Sequence, residues 1–303
     1  MIFLNEGWTY GAEHEWADWP LDRPLPQGYK RDVRDITIVN SNGIANDPTG
    51  RFYGFGGEIN TPPTDTVEGQ VGCMEELQAL YPEATINYRS NLHLHIRVPG
   101  LINDLAVLKR LQRRIHDDMP VALPIIEPLD LPIVRPWHSG TTPQEVLKGH
   151  ARRVRRMKVS HQTLLKPDRV ARQMAATTVQ EFFEAEVPRS KAGAVMWHAQ
   201  PRLCVNLRQL RETDTIEFRH WPGTMDADEL ANAFRWCKEW LESALRIDPI
   251  DDLLAAAQTW QLPRFQPYDH WMEERYRRTV HDGTIPKDQL PHNIAAILKE
   301  TRP

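Results

Sequence analysis

Thr215–Cys237 reads TIEFRHWPGTMDADELANAFRWC. In an extended chain alternate side chains share a face, so Ile216 and Phe218 point one way and Glu217 and Arg219 the other. Pro222, Gly223 and Thr224 then turn the chain. Asp226 stands where a helix N-cap belongs, and Asp226–Ile247 is expected to be one long helix. A strand with a charged face thus leads through a tight turn into a helix.

The same two-residue spacing recurs upstream. Glu13-His14-Glu15 lies in the run Trp8–Trp16, and His93-Leu94-His95 lies in Asn91–Val98. Each pair presents two polar heads on one side, while Leu92, Leu94 and Ile96 point into a core. Glu58 ends FYGFGGEI beside flexible glycines. Further strand candidates are Asp35–Val39, Arg51–Ile59, Thr85–Tyr88, Arg202–Leu207 and Thr215–His220. Residues 1–100 read as strands and loops, with a helix start expected near Cys73 in GQVGCMEEL. Asn103–Met119 reads as an amphipathic helix capped by Asn103, with Leu105, Leu108, Leu111 and Ile115 on one side. Five prolines fall in residues 120–139, which predicts an extended connector. Thr142–Glu184 is expected to be two helices broken near Pro167, and 248–303 short helices between prolines. Strands, helices, strands and helices follow without regular βα alternation. The expected class is α+β with a largely antiparallel sheet, rather than a (β/α)₈ barrel or a doubly wound fold.

If these strands are neighbours, one sheet face carries Glu13, Glu15, Glu58, His93, His95, Glu217 and Arg219. So many carboxylates on one surface need cations. Carboxylate oxygens with an occasional imidazole suit Mg²⁺ or Mn²⁺, the usual companions of nucleotide phosphates. Arg219 adds a planar fork for phosphate or carboxylate. Taken singly, a Glu-x-Glu is ordinary solvated surface and a Glu-x-Arg an ordinary surface ion pair. Their joint occurrence on apolar-backed strands carries the reading.

Composition narrows the class. The 303 residues are 41% hydrophobic and 26% charged, which suits a soluble globular chain. A formal charge of -4 disfavours a protein that coats nucleic acid. No run approaches the roughly 20 apolar residues of a membrane helix, and the N-terminus lacks a signal-peptide pattern. Cys73, Cys204 and Cys237 are few and far apart, as expected in a reducing cytoplasm, and Cys73 reads as structural. Trp8, Trp16 and Trp221 flank the motifs and are expected to pack in the core rather than wall the site.

The motifs, in order YGAEHEW, GFGGEINTPP, SNLHLHIRV, PRLCVNLRQL and TIEFRHWPGTMDADELANAFRWC, resemble the amidoligase family of the glutamine synthetase-like carboxylate–amine ligases. The resemblance spans about residues 8–245. It implies a curved antiparallel sheet whose concave face is the active site, with helices behind. It implies a catalytic domain over 1–247, with 120–139 as connector and 142–184 as a helical insertion, and a helical extension over 248–303. It implies ATP and Mg²⁺ or Mn²⁺, with Glu13, Glu15, Glu58, His93 and Glu217 holding the ions. His95, Asn206 and Arg219 would meet the nucleotide, and Arg202, Glu217 and Arg219 would take part in the chemistry. The implied reaction joins a carboxylate to an amine through an acyl-phosphate, on an amino acid, peptide or carboxylated nucleotide or DNA base.

Two alternatives belong to other classes. His93 and His95 open a zinc site in some metal-dependent hydrolases, although those place it on the first strand of a parallel barrel. Lys148–Lys158, KGHARRVRRMK, carries Arg152, Arg153, Arg155 and Arg156 with no acid. It reads as a solvated helix face, as a subsite for an anionic substrate, or as the footprint of a nucleic-acid-binding accessory protein.

Overall fold

The computed structural model describes residues 7–20, 23–32, 55–86, 90–126, 164–187 and 203–263. Six strands form an open sheet, paired antiparallel throughout: β1 Thr9–Pro20, β2 Lys30–Asp32, β3 Phe55–Asn60, β4 Asn91–Arg97, β5 Val205–Asn206 and β6 Ile216–Pro222. Their order is β2-β3-β1-β4-β6-β5. Among the described residues seven α-helices accompany them: α1 Val67–Leu80, α2 Leu105–Ile126, α3 Pro167–Ala175, α4 Val179–Glu186, α5 Gln209–Glu212, α6 Ala227–Arg246 and α7 Asp251–Ala257. The class is α+β with an antiparallel sheet, as the strand spacing predicts. Among the described residues no helix is long and apolar enough to cross a membrane.

One sheet face is apolar. Tyr10, Ala12 and Trp16 of β1, Leu92, Leu94 and Ile96 of β4, and Ile216, Phe218 and Trp221 of β6 are all buried there. Helix α6 lies beneath them. Phe234 meets the Tyr10 ring edge-on at 5.9 Å, and Trp240 meets Phe218 at the same separation. Trp236 stacks on Trp240 and stands edge-on to Trp221. Trp8, Trp16 and Trp221 are core residues, as expected. His14 shares this face. Burial pushes its imidazole down to about 4, so it sits in the core as a neutral ring beside Trp16.

Helix α6 forms as its sequence directs. The Asp226 carboxylate accepts from the Glu229 N–H at 2.9 Å, and the Thr224 hydroxyl accepts from the Asp226 N–H at 3.0 Å. Leu230, Ala233, Phe234, Cys237, Trp240, Leu241 and Ala244 then repeat with helical spacing into the core. Asp226→Ala removes one cap and is expected to cost about 1 kcal/mol, read as a lower urea midpoint with unchanged slope.

Three local expectations are corrected and one is extended. Helix α1 forms about the helix start expected near Cys73 and runs over Val67–Leu80. Thr66 caps it, and Met74 and Leu77 bury its apolar side despite Gly69 and Gly72. Asp104, not Asn103, caps α2, its carboxylate accepting from the Val107 N–H at 3.0 Å. Helix α2 continues through Pro120 and Pro124 to Ile126 in place of an extended chain. Each proline forfeits one helical hydrogen bond, but Met119, Ala122, Leu123 and Ile126 keep the buried stripe running, and that burial outweighs the loss. Thr85 makes an isolated bridge to Ala17 rather than opening a strand. The break near Pro167 is the first turn of α3, where a missing N–H costs nothing. Strand β2 adds an unforeseen edge. Asp35–Val39, Arg202, Lys148–Lys158 and 264–303 lie outside the described residues.

Candidate metal and phosphoryl-transfer site

The other sheet face assembles the polar pairs. Antiparallel register sets Glu13 opposite His93, Glu15 opposite Glu58, His95 opposite Glu217, and Asn206 opposite Glu217. Opposed side chains on neighbouring strands stand about 5 Å apart at Cβ, so five strands converge on one patch. Most of it is withdrawn from solvent: Glu217 is 0% exposed, Glu15 2%, His93 3% and His95 9%.

Glu13 is the hub. Its Oε2 lies 2.7 Å from His93 Nδ1, and its Oε1 lies 3.1 Å from His95 Nε2. His93 Nδ1 is also 3.6 Å from Glu217 Oε1. Two donor triads result: Glu13 with Glu58 and His93, and Glu13 with His95 and Glu217, each with ligand atoms within 4.8 Å of one another. Glu13 belongs to both.

The remaining atoms of these groups are held from outside. Glu217 Oε2 accepts from Asn206 Nδ2 at 2.7 Å, and the Asn206 carbonyl oxygen in turn accepts from the Arg208 N–H at 3.1 Å. Asn206 is therefore fixed with its amide nitrogen toward Glu217. Glu15 belongs to neither triad. Its Oε2 accepts from the backbone N–H and the side-chain amide of Asn91, at 3.0 and 2.6 Å. Its Oε1 lies 3.9 Å from His93 Nε2. Glu58 Oε1 accepts from Asn60 Nδ2 at 3.0 Å.

Arg219 reaches the patch through a break in register. Leu92 pairs with Trp221 while Leu94 pairs with Phe218, so Arg219 and His220 together oppose His93. This bulge turns Trp221 to the core and keeps Arg219 on the polar face. The Arg219 N–H donates to the Cys204 carbonyl at 2.8 Å, and its guanidinium pairs with Glu217 Oε1.

Electrostatics follow from the contacts. Burial alone would raise the Glu13 carboxyl, but hydrogen bonds from His93 and His95 outweigh it and hold the group well below the usual carboxylate range. Glu217 is also lowered: burial and Glu13 oppose its ionisation, while Arg219, His93 and His95 prevail. His95 is raised, because Glu13 and Glu217 outweigh both burial and Arg219. Glu13 and Glu217 therefore stay ionised, the form in which carboxylates bind hard cations. Buried oxygens with one imidazole per triad fit Mg²⁺ or Mn²⁺.

Of the sequence-predicted residues, the fold gathers Glu13, Glu15, Glu58, His93, His95, Asn206, Glu217 and Arg219 on one face. Three partners were missed: Asn60, Asn91 and Thr215. Each lies two residues from a predicted one (Glu58, His93 and Glu217), so extending the same alternation by one step would have found them.

No family model matches the chain, and no curated protein matches it. Among solved structures it is similar to the glutamate–cysteine ligase of Francisella tularensis in complex with AMP. That match has 11% identity and a TM-score of 0.37, over 99% of this chain and 82% of that one. A likeness this slight transfers neither fold nor activity.

Proposed function

We propose that the chain is an ATP-dependent carboxylate–amine ligase using Mg²⁺ or Mn²⁺. The observation that carries the reading is the shared carboxylate: Glu13 offers one oxygen to each of two donor triads on a buried sheet face. Two adjacent divalent-ion positions next to an arginine suit a triphosphate, whose transfer depends on positioning and charge neutralisation.

In this reading Glu13, Glu58 and His93 hold one ion, and Glu13, His95 and Glu217 a second. Bound Mg²⁺ or Mn²⁺ supplies neutralisation of the triphosphate charge. Arg219 contributes a fixed cation where the γ-phosphoryl passes, and Glu217 keeps its guanidinium aimed. Asn206 holds Glu217, and Asn91 holds Glu15, so the face is preorganised before substrate arrives. The substrate carboxylate attacks the γ-phosphorus and the β,γ-bridging oxygen leaves with ADP. The amine nitrogen then attacks the acyl carbon, phosphate departs, and the amine gives up one proton. The metallohydrolase alternative asks for a closed parallel barrel, whereas β4 is an inner strand of an open antiparallel sheet.

The test is ADP release with Mg²⁺ across a panel of amino acids, peptides and carboxylated nucleotides, followed by mass spectrometry. The expected product weighs the sum of acid and amine less one water, formed with one ADP per bond. Stoichiometric zinc binding with ATP-independent hydrolysis would overturn the proposal.

A further inference from the structure

The short edge strand β2 is anchored through one of its sides. Gly28, with φ +93°, turns the chain into it, and the Tyr29 N–H closes that turn on the Pro26 carbonyl at 3.3 Å. The Tyr29 hydroxyl donates to Glu76 of α1 at 2.6 Å. The Arg31 guanidinium donates to the Arg23 carbonyl at 2.6 Å, which also accepts from the hydroxyl of the buried Tyr81. Tyr29 and Arg31 thus both reach toward the α1 side, and alternation sends Lys30 to the other. Register agrees. Arg31 pairs with the core residue Ile59, whereas Lys30 pairs with Asn60. Asn60 stands opposite Glu13, and Glu13 opposite His93. Lys30 and Arg219 therefore end one row of the polar face, with the triad of Glu13, Glu58 and His93 between them.

Lys30 is exposed, and among the described residues it has no ion-pair partner. Arg97, also on this face, is taken up by Asp214 at 2.7 Å. Two strand spacings, about 10 Å, separate Lys30 from Glu13 along the row. A flexible four-carbon stem covers much of that distance, so the ammonium can meet an anion bound over the triad. We infer that Lys30 binds an anionic oxygen of the substrate on the side of the triad away from Arg219. That oxygen belongs to a phosphate of the nucleotide or to the carboxylate of the acid, and an ammonium recognises either. Both reactants are anions that must be screened from each other before attack, and a cation at each end of the row does so. The inference deepens the ligase reading and rests on it for the substrate.

Lys30→Met keeps the length of the side chain and removes its charge, and Lys30→Arg keeps the charge. Lys238→Met, on α6, controls for the loss of any one positive charge. Lys30 is exposed, so its variants are expected to keep the wild-type urea midpoint. The first readout is binding of Mg²⁺·ADP by calorimetry, and the second is KM for the acid identified by the product panel. Lys30→Met is expected to weaken one of them about tenfold or more, with Lys30→Arg and Lys238→Met staying within about twofold of wild type. Weaker ADP binding assigns Lys30 to the nucleotide. A raised KM for the acid with normal ADP binding assigns it to the carboxylate. Wild-type values of both in Lys30→Met would overturn this inference alone, as would an equal loss in Lys238→Met. Wild-type protein that neither binds Mg²⁺·ADP nor turns over any acid would overturn the ligase reading and this inference together.

Discussion

Glu217→Gln is expected to leave the protein folded and to lower ATP-dependent turnover on the order of a thousandfold. The substitution keeps the size and shape of a side chain that is completely buried. The glutamine carbonyl still accepts from Asn206 Nδ2, so the link to β5 survives. What changes is charge. The oxygen that faces Arg219 becomes an amide that donates, and the guanidinium loses its acceptor. Arg219 is partly exposed, so water takes over part of that bond, at a cost of about 1–3 kcal/mol. A domain of this size tolerates such a loss. The chemistry does not, because one triad loses a negative ligand and the arginine beside the γ-phosphoryl loses its orientation. Far-ultraviolet circular dichroism checks the fold, and a coupled ADP assay checks the rate. Near-normal turnover by a folded variant would remove Glu217, and with it the ligase assignment, from the site.

The polar face was legible because strand periodicity is a local property. Glu13/Glu15, His93/His95 and Glu217/Arg219 needed only alternation to be paired, and the apolar residues between them identified the side that is buried. Adjacency of the strands is nonlocal. It came from the resemblance and from the electrostatic argument that so many carboxylates must share cations. Features that depend on tertiary balance were not legible. The start of helix α1 near Cys73 was legible but its length was not: Gly69 and Gly72 weaken the pattern, yet Met74 and Leu77 gain enough burial to hold the helix. The prolines of α2 argue for a break, yet the stripe from Met119 to Ile126 carries the helix past them. The bulge opposite His93 has no sequence signature, since it appears only when β4 and β6 are laid together. It nevertheless decides that Trp221 joins the core while Arg219 joins the site.

A second large effect lies away from the site. Glu186, at the end of α4, is 1% exposed, and its Oε2 has no hydrogen-bond partner among the described residues. Burial pushes its carboxyl up from 4.5 to about 7; Arg208 and Arg169 pull it down only in part, and Glu212 adds to the rise. The C-terminal end of a helix also disfavours a negative charge. Below pH 4.5 the group is protonated in both folded and unfolded chains and affects nothing. Between 4.5 and 7 the unfolded chain releases the proton while the fold retains it, so stability falls as pH rises. Above 7 both states are ionised and the penalty is fully present, at about 3 kcal/mol. Glutamine never ionises. Glu186→Gln is therefore expected to match wild type more closely at pH 4 and to gain on it by about 3 kcal/mol at pH 8, measured by urea unfolding. Parallel stability curves across that range would mean that Glu186 is ionised inside the fold. Arg208, whose Nη1 is buried without an acceptor among the described residues, would then have to be its counter-charge.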